Sequence, residues 1–250
     1  MSFQTILITG ATSGIGFEAA KQYVKQGWRV VFTGRDQERI ANATARLHDD
    51  AHSPDQILGL LCDNANAQHY PTLVSDIRHN VGTLDAVILN AGVFHPGHFS
   101  ETTQSELMTT MSVNFTGPAM LLQALLPVLN DPCSVVYVSS IVVERAFPTA
   151  SSYSASKAAF EAYANVLNLE LAPQGVRINY LRPGVTATEI QSKAGMSEHQ
   201  ISELNASLAN LPLGRMLEPT EMLSSLEFLT SSSSLALRGA HITVDGGYCL

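Results

Sequence analysis

Residues 4–27 read QTILITGATSGIGFEAAKQYVKQG, a short apolar strand that runs into a glycine-rich turn and then a helix ending at Gly27. The glycines of the turn, Gly10, Gly14 and Gly16, tolerate backbone angles closed to other residues. They also let a pyrophosphate approach the main-chain N–H groups at the helix terminus. The stretch therefore predicts the phosphate-binding turn of a dinucleotide site, and a tight strand-to-helix connection without a ligand is the alternative interpretation.

A second pattern, SSIVVERAFPTASSYSASKAAF, spans residues 139–160. Tyr153 and Lys157 are four residues apart, so on a helix they share one face. A phenol with an unperturbed pKa near ~10 exchanges protons poorly at pH 7, and a nearby ammonium favours the phenolate and lowers that pKa. The pattern predicts that Tyr153 is a general acid/base and that Ser140 holds a substrate carbonyl oxygen beside it. A Y-x-x-x-K pair alone is more often a surface pair, so the interpretation depends on its companions.

The spacing of the glycine turn is T-G-x-x-x-G-x-G, which resembles the short-chain dehydrogenase/reductase family rather than the usual dinucleotide fingerprint. Further motifs of that family follow in its order and at its intervals over nearly the whole chain: Asn90-Ala91-Gly92, Asn114 in MSVNFTG, Pro183-Gly184 with Thr188 in PGVTAT, and Val244-Asp245-Gly246-Gly247. The chain is identified by this resemblance as a member of the family, of the NADP(H)-preferring type.

Apolar strand candidates alternate with helical stretches along the chain, which is typical of β-α-β units and a parallel sheet. The candidates are FQTILIT, WRVVFTG, QILGLLC, DAVILN, SVVYVSS, VRINYLR and HITVDG. Right-handed crossovers place helices on both faces. We expect a single doubly wound, Rossmann-type α/β domain with seven parallel strands over residues 1–250. Its cofactor half covers about 1–135, and its catalytic and substrate half covers about 136–250.

Composition supports a well-buried domain, since 45% of the 250 residues are hydrophobic and 14% are charged. The net charge of −8, without a basic run, predicts that neither nucleic acid nor an anionic membrane is a partner. The chain enters its first strand without a signal peptide, and the most apolar window, AMLLQALLPVL, is too short to cross a bilayer. We expect a cytoplasmic protein. Three cysteines without ligand spacing predict reduced thiols, and no metal site is predicted.

The end of the second strand predicts the cofactor. In the family this chain resembles, an acidic residue at position 34 marks NAD, but here that residue is Gly34 and Arg35 follows it. A guanidinium matches a phosphate in charge and in bidentate geometry, so the pair predicts NADP(H). Two alternatives stay open. Arg35 could be an ordinary solvated charge, and Asp36 could pair with it or lie near the phosphate.

The resemblance implies the remaining roles. Asp63 meets the adenine amino group, Asn90 supports the sheet beside the ribose, and Thr188 lies near the nicotinamide carboxamide. Lys157 lowers the pKa of Tyr153 and binds the nicotinamide ribose, while Asn114 holds a water that links Lys157 to solvent. The implied catalytic residues are Asn114, Ser140, Tyr153 and Lys157. The implied cofactor-binding residues are Gly10, Thr12, Ser13, Gly14, Ile15, Gly16, Arg35, Asp63, Asn90, Ala91, Gly92, Tyr153, Lys157, Pro183, Gly184, Thr186 and Thr188.

The implied reaction is reversible hydride transfer between nicotinamide C4 and the carbonyl carbon of a ketone or aldehyde. The segments that line the family's pocket are residues 141–147, Val93-Phe94-His95 and a lid at 189–211, in which Ser197 and Gln200 form a capping-box pattern before Ile201, Leu204 and Leu208. Their apolar character favours a largely hydrophobic substrate, with Glu144, Arg145 and His95 as possible polar contacts. A 3-oxoacyl thioester reductase and a catalytically silent NADP(H)-binding regulatory protein are the alternatives. The segments PVLNDP and APQG lack the basic residues expected for a carrier-bound substrate.

Two apolar helical stripes predict a homotetramer or homodimer, because members of the resembled family pack two helices across a two-fold axis. One stripe contains Leu107, Met111, Phe115, Leu122 and Leu126, and the other contains Phe160, Tyr163, Leu167 and Leu171. The same stripes could instead pack only on the sheet.

Overall fold

The computed structural model describes residues 4–250, so the start of the first strand candidate, Phe3, lies outside the described residues. Its sheet has seven strands in the order β3-β2-β1-β4-β5-β6-β7, and every neighbouring pair is parallel. The strands are β1 (Thr5–Ile8), β2 (Arg29–Gly34), β3 (Ile57–Leu61), β4 (Leu84–Leu89), β5 (Leu129–Val138), β6 (Val176–Pro183) and β7 (His241–Val244). All seven predicted strands are confirmed.

Nine α-helices accompany the sheet within the described residues. They are α1 (Gly14–Lys25), α2 (Gln37–His48), α3 (Tyr70–Asn80), α4 (Gln104–Met111), α5 (Gly117–Leu125), α6 (Ser151–Glu170), α7 (Ile190–Lys193), α8 (Glu198–Ser207) and α9 (Leu223–Thr230). Alternate strand residues face opposite sides, so Ile6 and Ile8 pack with α1, α2 and α9, whereas Leu7 packs with α3, α5 and α6. The predicted doubly wound fold with helices on both faces is confirmed.

The strand order reverses between β1 and β4, because the chain leaves β1 towards β2 and β3 and later returns to the other side of β1. Loops that follow the carboxyl ends of these two strands must therefore diverge, which opens a crevice between them. The glycine turn follows β1 and residues 90–92 follow β4. The two motifs that the sequence separates by 80 residues thus face each other across this crevice.

The strand β5 begins five residues earlier than the pattern predicts, at Leu129 instead of Ser134. The pairing of β5 with β4 is irregular at its start, where Leu84 faces Leu129 and Ala86 already faces Ser134. Pro132 lies in the added segment and has no N–H to donate to a ladder. The apolar run from which the sequence predicts β5 therefore begins only after this segment.

The two apolar stripes divide between the core and the surface. Leu122, Phe160 and Leu171 are buried on the sheet, whereas Tyr163 and Leu107 are 43% and 39% exposed. The large apolar side chains that face outward from these helices are instead Met108, Met120, Val166 and Leu169. The alternative that the stripes serve the sheet is thus correct for the most deeply buried members. The exposed apolar surface combines Leu107 and Tyr163 of the stripes with residues outside them.

The helices α4 and α5 form one run, because a π-helical turn, Ser112–Thr116, joins them and a 3-10 turn, Leu126–Val128, follows. Among residues 4–250, this run of Gln104–Val128 is the one helix whose length and apolar composition match those of a membrane-crossing helix. Half of it is buried inside the fold, and core helices of soluble proteins have the same properties. It is therefore weak support for a membrane location.

The stability prediction compares two glycines. A Cβ at Gly117 would lie 2.2 Å from the backbone oxygen of Asn64, although the φ of Gly117 is an ordinary −60°. A Cβ at Gly27 would meet nothing within 4 Å, but the φ there is +83°. We expect Gly117→Ala to lower the free energy of unfolding by about 3 kcal/mol, since backbone cannot rotate away. Gly27→Ala should cost about 1–2 kcal/mol through the left-handed conformation alone. Urea unfolding of both variants measures the difference, and a larger loss at Gly27 would contradict the packing argument.

Candidate active site

The glycine turn is braced by the first residue after β4. The Asn90 amide donates to the backbone oxygens of Thr9 at 2.9 Å and Gly10 at 3.2 Å. A Cβ at Gly16 would lie 2.4 Å from the same amide nitrogen, so only glycine leaves room for it. The hydroxyl of Thr9 accepts from the backbone N–H groups of Asn90 and Ala91, at 3.0 Å each. These contacts fix the turn against the end of β4, which is the supporting role that the resemblance implies for Asn90.

The start of α1 has the properties of an anion site. Ser13 is the N-cap residue, yet within the described chain its side chain accepts no hydrogen bond from the helix, and the first turn has no acidic side chain. The first backbone N–H groups of a helix lack intrahelical acceptors, and the helix dipole favours a negative charge beside them. Thr188 faces this turn, since a Cβ at Gly14 would approach its side chain to 3.3 Å. The donor set fits the pyrophosphate of a dinucleotide.

The candidate reacting groups converge at the carboxyl end of β5. Tyr153 lies in the first turn of α6, Lys157 lies one turn later, and Ser140 follows β5. The Lys157 Nζ is 5.5 Å from the centre of the Tyr153 ring and donates to the backbone oxygen of Val138 at 2.8 Å. Lys157 is 3% exposed and Ser140 is 8% exposed, so the arrangement is shielded from bulk water. The structure therefore brings together the three side chains that the sequence pattern predicts.

The pKa values correct one expectation. Burial raises the pKa of Tyr153 to about 12, and the hydrogen bond with Ser140 only partly opposes this. Burial likewise lowers the pKa of Lys157 to about 7, against the attraction of Glu161. The expected lowering of the Tyr153 pKa by Lys157 is thus not what this structure displays. Desolvation outweighs the charge, and the ammonium is directed at the oxygen of Val138.

Asn114 lies in the π-helical turn and is fully buried. Its side-chain amide donates to the backbone oxygen of Val93 at 2.9 Å and to the Ser156 hydroxyl at 3.0 Å. Its side-chain oxygen accepts from the N–H of Val93 at 2.9 Å. These bonds tie the segment after β4 to α6 and give Asn114 a positioning task. The water link to Lys157 stays a prediction.

Three contacts at the site have no counterpart in the sequence motifs. The Tyr137 hydroxyl donates to the backbone oxygen of Asn114 at 2.7 Å, and its ring lies 4.7 Å from the Lys157 Nζ. The Phe94 ring packs on Tyr153 with 5.1 Å between ring centroids. Glu161, one helical turn beyond Lys157, pairs with Arg182 at 2.5 Å. Helical spacing from Lys157 could have indicated Glu161, but no local signal indicates the other two contacts.

The polar side chains proposed as substrate contacts are all bonded to protein groups. His95 lies 3.1 Å from the Thr110 hydroxyl, and Arg145 donates to the backbone oxygen of Tyr248 at 2.6 Å. Glu144 accepts from Arg182 at 2.6 Å and from Thr243 at 2.8 Å. These partners give the three side chains structural contacts, and their role in binding a substrate stays a prediction.

The end of β2 resolves the ambiguity at Asp36. The Asp36 carboxylate caps α2 by accepting from the N–H of Arg39 at 2.8 Å. Arg35 is exposed and makes no ion pair within residues 4–250. A Cβ at Gly34 would lie 2.6 Å from the Thr12 side chain. A larger residue at position 34 would therefore require the Thr12 side chain to shift, and Arg35 makes no ion pair within the described residues.

The other implied cofactor contacts lie around the crevice. Asp63 follows β3, where its side chain accepts from the N–H of Ala65 at 2.9 Å. Gly184 follows β6, and its N–H donates to the backbone oxygen of Val244 at 2.8 Å. Thr186 is one of the residues that the resemblance assigns to the cofactor, and its backbone oxygen accepts from the Gln191 side chain at 2.8 Å. Thr186 is thus engaged with the lid in this structure.

The predicted lid consists of α7 and α8. The capping box of Ser197 and Gln200 is present, as the sequence predicts. Ile201 and Leu204 are the two half-buried residues of α8, Leu208 just after its end is buried, and the rest of the helix is exposed. The predicted apolar stripe therefore lies on the less exposed side of the helix, although no residue of α8 itself is fully buried.

Comparisons with known proteins agree with this geometry. A family model described as enoyl-(acyl carrier protein) reductase matches residues 10–249. An uncharacterized oxidoreductase of Methylorubrum extorquens is 31% identical over 242 residues, which is 96% of each chain. Human dehydrogenase/reductase SDR family member 4 is 30% identical over 245 residues, 96% of this chain and 86% of that protein.

Solved structures are similar over nearly the whole chain. A short-chain dehydrogenase/reductase of Brucella melitensis, described as a glucose/ribitol dehydrogenase, has a TM-score of 0.89 at 28% identity and covers 98% of this chain and 97% of its own. A short-chain dehydrogenase/reductase of unknown function from Caenorhabditis elegans, solved with cofactor, has a TM-score of 0.90 at 25% identity, with 98% and 94% covered. The chain with the braced glycine turn and the buried tyrosine and lysine belongs to the short-chain dehydrogenase/reductase family of oxidoreductases.

Proposed function

We propose that this protein is an NADP(H)-dependent oxidoreductase that interconverts a ketone or aldehyde and its alcohol. The observation that carries the proposal is the convergence of Ser140, Tyr153 and Lys157 at the carboxyl end of β5, beside the crevice that holds the glycine turn. The nicotinamide of the bound cofactor supplies or accepts the hydride. Tyr153 gives the carbonyl oxygen its proton or takes it back, and Ser140 orients that oxygen.

The raised pKa of Tyr153 favours the protonated phenol that carbonyl reduction uses, and it also makes that phenol a weaker proton donor. A Tyr153 pKa raised to about 12 keeps the phenol protonated at neutral pH, which is the form that donates a proton. Oxidation of an alcohol instead needs the phenolate, and the Ser140 hydrogen bond is the contact that favours it.

The pocket wall supports a largely apolar carbonyl compound. Phe94 packs directly on Tyr153, while His95, Glu144 and Arg145 are bonded to protein partners. A charged substrate would have to share one of these side chains with its protein partner. A 3-oxoacyl thioester reductase is the second candidate, favoured by the description of the matching family model as an acyl-carrier-protein reductase. The retention of all three candidate reacting groups favours catalysis over a silent nucleotide-binding role.

The preference for NADP(H) is supported by the end of β2. Arg35 is exposed and is the first side chain after the strand, and the neighbouring carboxylate of Asp36 is used as the α2 cap. Charge-assisted bidentate contacts to phosphate are the strongest hydrogen bonds a guanidinium makes. Position 34 is a glycine and so lacks the carboxylate that would select NAD, and a larger residue there would require the Thr12 side chain to shift.

We also propose a single-domain cytoplasmic protein that assembles as a homodimer or homotetramer. Exposed apolar side chains on α5 and α6 support assembly: Leu169 is 79% exposed, Val166 53% and Met120 48%. Burying such a surface against a second copy would remove apolar area from water.

The first test of the proposed chemistry is Tyr153→Phe. The variant should bind NADPH nearly as well as the parent, because only the proton-carrying oxygen is removed. Turnover of carbonyl substrates should fall by ~10²–10⁴-fold. Tyr163→Phe, which alters an exposed tyrosine on the same helix, is the matched control and should keep parental turnover. Near-parental kcat in Tyr153→Phe would remove this residue from the mechanism.

The second test uses Lys157→Met and pH. The folded-state pKa of Lys157 is lowered to about 7, so between pH 7 and the unfolded pKa near ~10.4 the unfolded chain holds more protons. The free-energy cost of burying the charged Lys157 side chain is therefore largest below pH 7, and it decreases as the pH rises. The stability advantage of Lys157→Met over the parent should shrink by about 2 kcal/mol between pH 6 and pH 9. Urea unfolding at both values measures it, with Lys21→Met, at a 39% exposed side chain, as the surface-lysine control. A flat difference for Lys157→Met would mean that its charge is not desolvated.

The third test addresses the cofactor. Arg35→Ala should weaken NADPH binding by ~10–150-fold, the equivalent of a lost charge-assisted contact of ~1.5–3 kcal/mol, and should leave NADH binding nearly unchanged. Calorimetric titration of both cofactors measures this, with Arg78→Ala on α3 as the exposed-arginine control. Equal weakening of both cofactors, or a parental preference for NADH, would overturn the 2′-phosphate assignment.

A further inference from the structure

An ion cluster joins the start of the lid to the segments that follow β1 and β2. Glu189, just before α7, pairs with Arg39 in the first turn of α2 and with Lys193 at 2.8 Å. The Nζ of Lys193 also lies 3.4 Å from the hydroxyl of Ser13, the N-cap residue of α1. One carboxylate therefore bridges a cation near the end of β2 and a cation at the glycine turn.

Glu189 lines a cavity of about 460 Å³ between the glycine turn and the lid, whereas Arg39 and Lys193 lie outside its lining. Ser13 and Gly14 line it from the turn, Thr188 lines it beside Glu189, and Arg46 and a second carboxylate, Glu18, line it from α2 and α1. Glu189 thus places a negative charge in a cavity shared with the unpaired N–H groups at the start of α1. That is the position in which an anion of a ligand would be stabilised.

From this geometry we propose that Arg39 and Lys193 are phosphate ligands of the bound nucleotide and that the Glu189 carboxylate occupies their place until the nucleotide binds. Arg39 lies four residues after Arg35 and takes the 2′-phosphate, while Lys193 beside Ser13 takes a phosphate of the 5′ side. The inference rests on the proposed nucleotide site, and only its Arg39 half depends on NADP(H) rather than NAD(H).

The charges and the exposure of these side chains favour replacement of the Glu189 carboxylate by a phosphate over a permanent ion pair. The side chains of Arg39, Lys193 and Glu189 are 42%, 47% and 47% exposed, and ion pairs of that exposure contribute little to stability. Hydrogen bonds from Lys193 and Arg39 lower the pKa of Glu189 to about 2, so it stays ionised and competes as an anion throughout the neutral range. Three charges sum to +1 here, in a chain whose net charge is −8.

The alternative is that Glu189 only holds the lid closed. The two interpretations differ in the sign of one effect. If Glu189 competes with phosphate, removing its charge strengthens phosphate binding. If it only closes the lid, removing its charge weakens binding or leaves it unchanged.

The test is calorimetric titration of the full chain with three probes: 2′-AMP, ADP, and adenosine as the probe without phosphate. Glu189→Gln should bind 2′-AMP and ADP ~3–10-fold more tightly at low salt, with the gain lost in 1 M salt, and should bind adenosine as the parent does. Arg39→Gln should weaken 2′-AMP, and Lys193→Gln should weaken ADP, each by ~3–10-fold. Glu198→Gln, a lid carboxylate without an ion pair in the described chain, is the matched control and should change none of the affinities.

Equal or weaker phosphate-probe binding by Glu189→Gln overturns the displacement, and unchanged affinities in Arg39→Gln and Lys193→Gln overturn their role as ligands. Failure of the proposed function would be seen in a separate measurement, because the parent protein would then not turn over carbonyl substrates. If the protein prefers NAD(H), Arg39→Gln should leave the affinity for 2′-AMP unchanged, while Lys193→Gln should still weaken ADP binding. That result would overturn the proposed role of Arg39 and leave that of Lys193.

Discussion

The reversal of strand order between β1 and β4 is the constraint on which the site depends. It opens a crevice at the carboxyl ends of the strands, and parallel pairing brings the loops after β1, β4, β5 and β6 to that same edge. The bond from the Asn90 amide to the oxygens of Thr9 and Gly10 then sets how far the two sides of the crevice can separate. Gly16 is obligatory because that amide occupies the space of its Cβ.

Burial is the second determinant, and it acts against the charged forms that the chemistry uses. The pKa of Tyr153 is raised and that of Lys157 is lowered, both by desolvation. Glu161 offsets part of this cost, and its own charge is balanced by Arg182 rather than exposed to water. The fold therefore tolerates the free-energy cost of burying the Lys157 ammonium, which lies beside the Tyr153 phenol.

The sheet, the glycine turn and the grouping of Ser140 with Tyr153 and Lys157 are predictable from the sequence, because each follows from local periodicity or fixed spacing. The contacts that were not predictable join distant segments: Tyr137 with Asn114, Phe94 with Tyr153, and Glu189 with Arg39. The apolar stripes predicted helices, but the rotation of each helix on the sheet decided which members were exposed. The sign of the Tyr153 pKa shift likewise needed a measure of burial, which spacing does not contain.

The lid, residues 189–211, depends on both determinants, the crevice and burial. Its helix α8 buries none of its own residues within the described chain, so hydrophobic packing contributes little to holding it beyond Leu208. The contacts at its start are polar: Gln191 with the backbone of Thr186, and Glu189 with Arg39 and Lys193. These are the contacts nearest the phosphate-binding turn, whereas the apolar wall around Phe94 lies nearer the reacting groups. The start of the lid is therefore held mainly by hydrogen bonds and ion pairs close to the glycine turn.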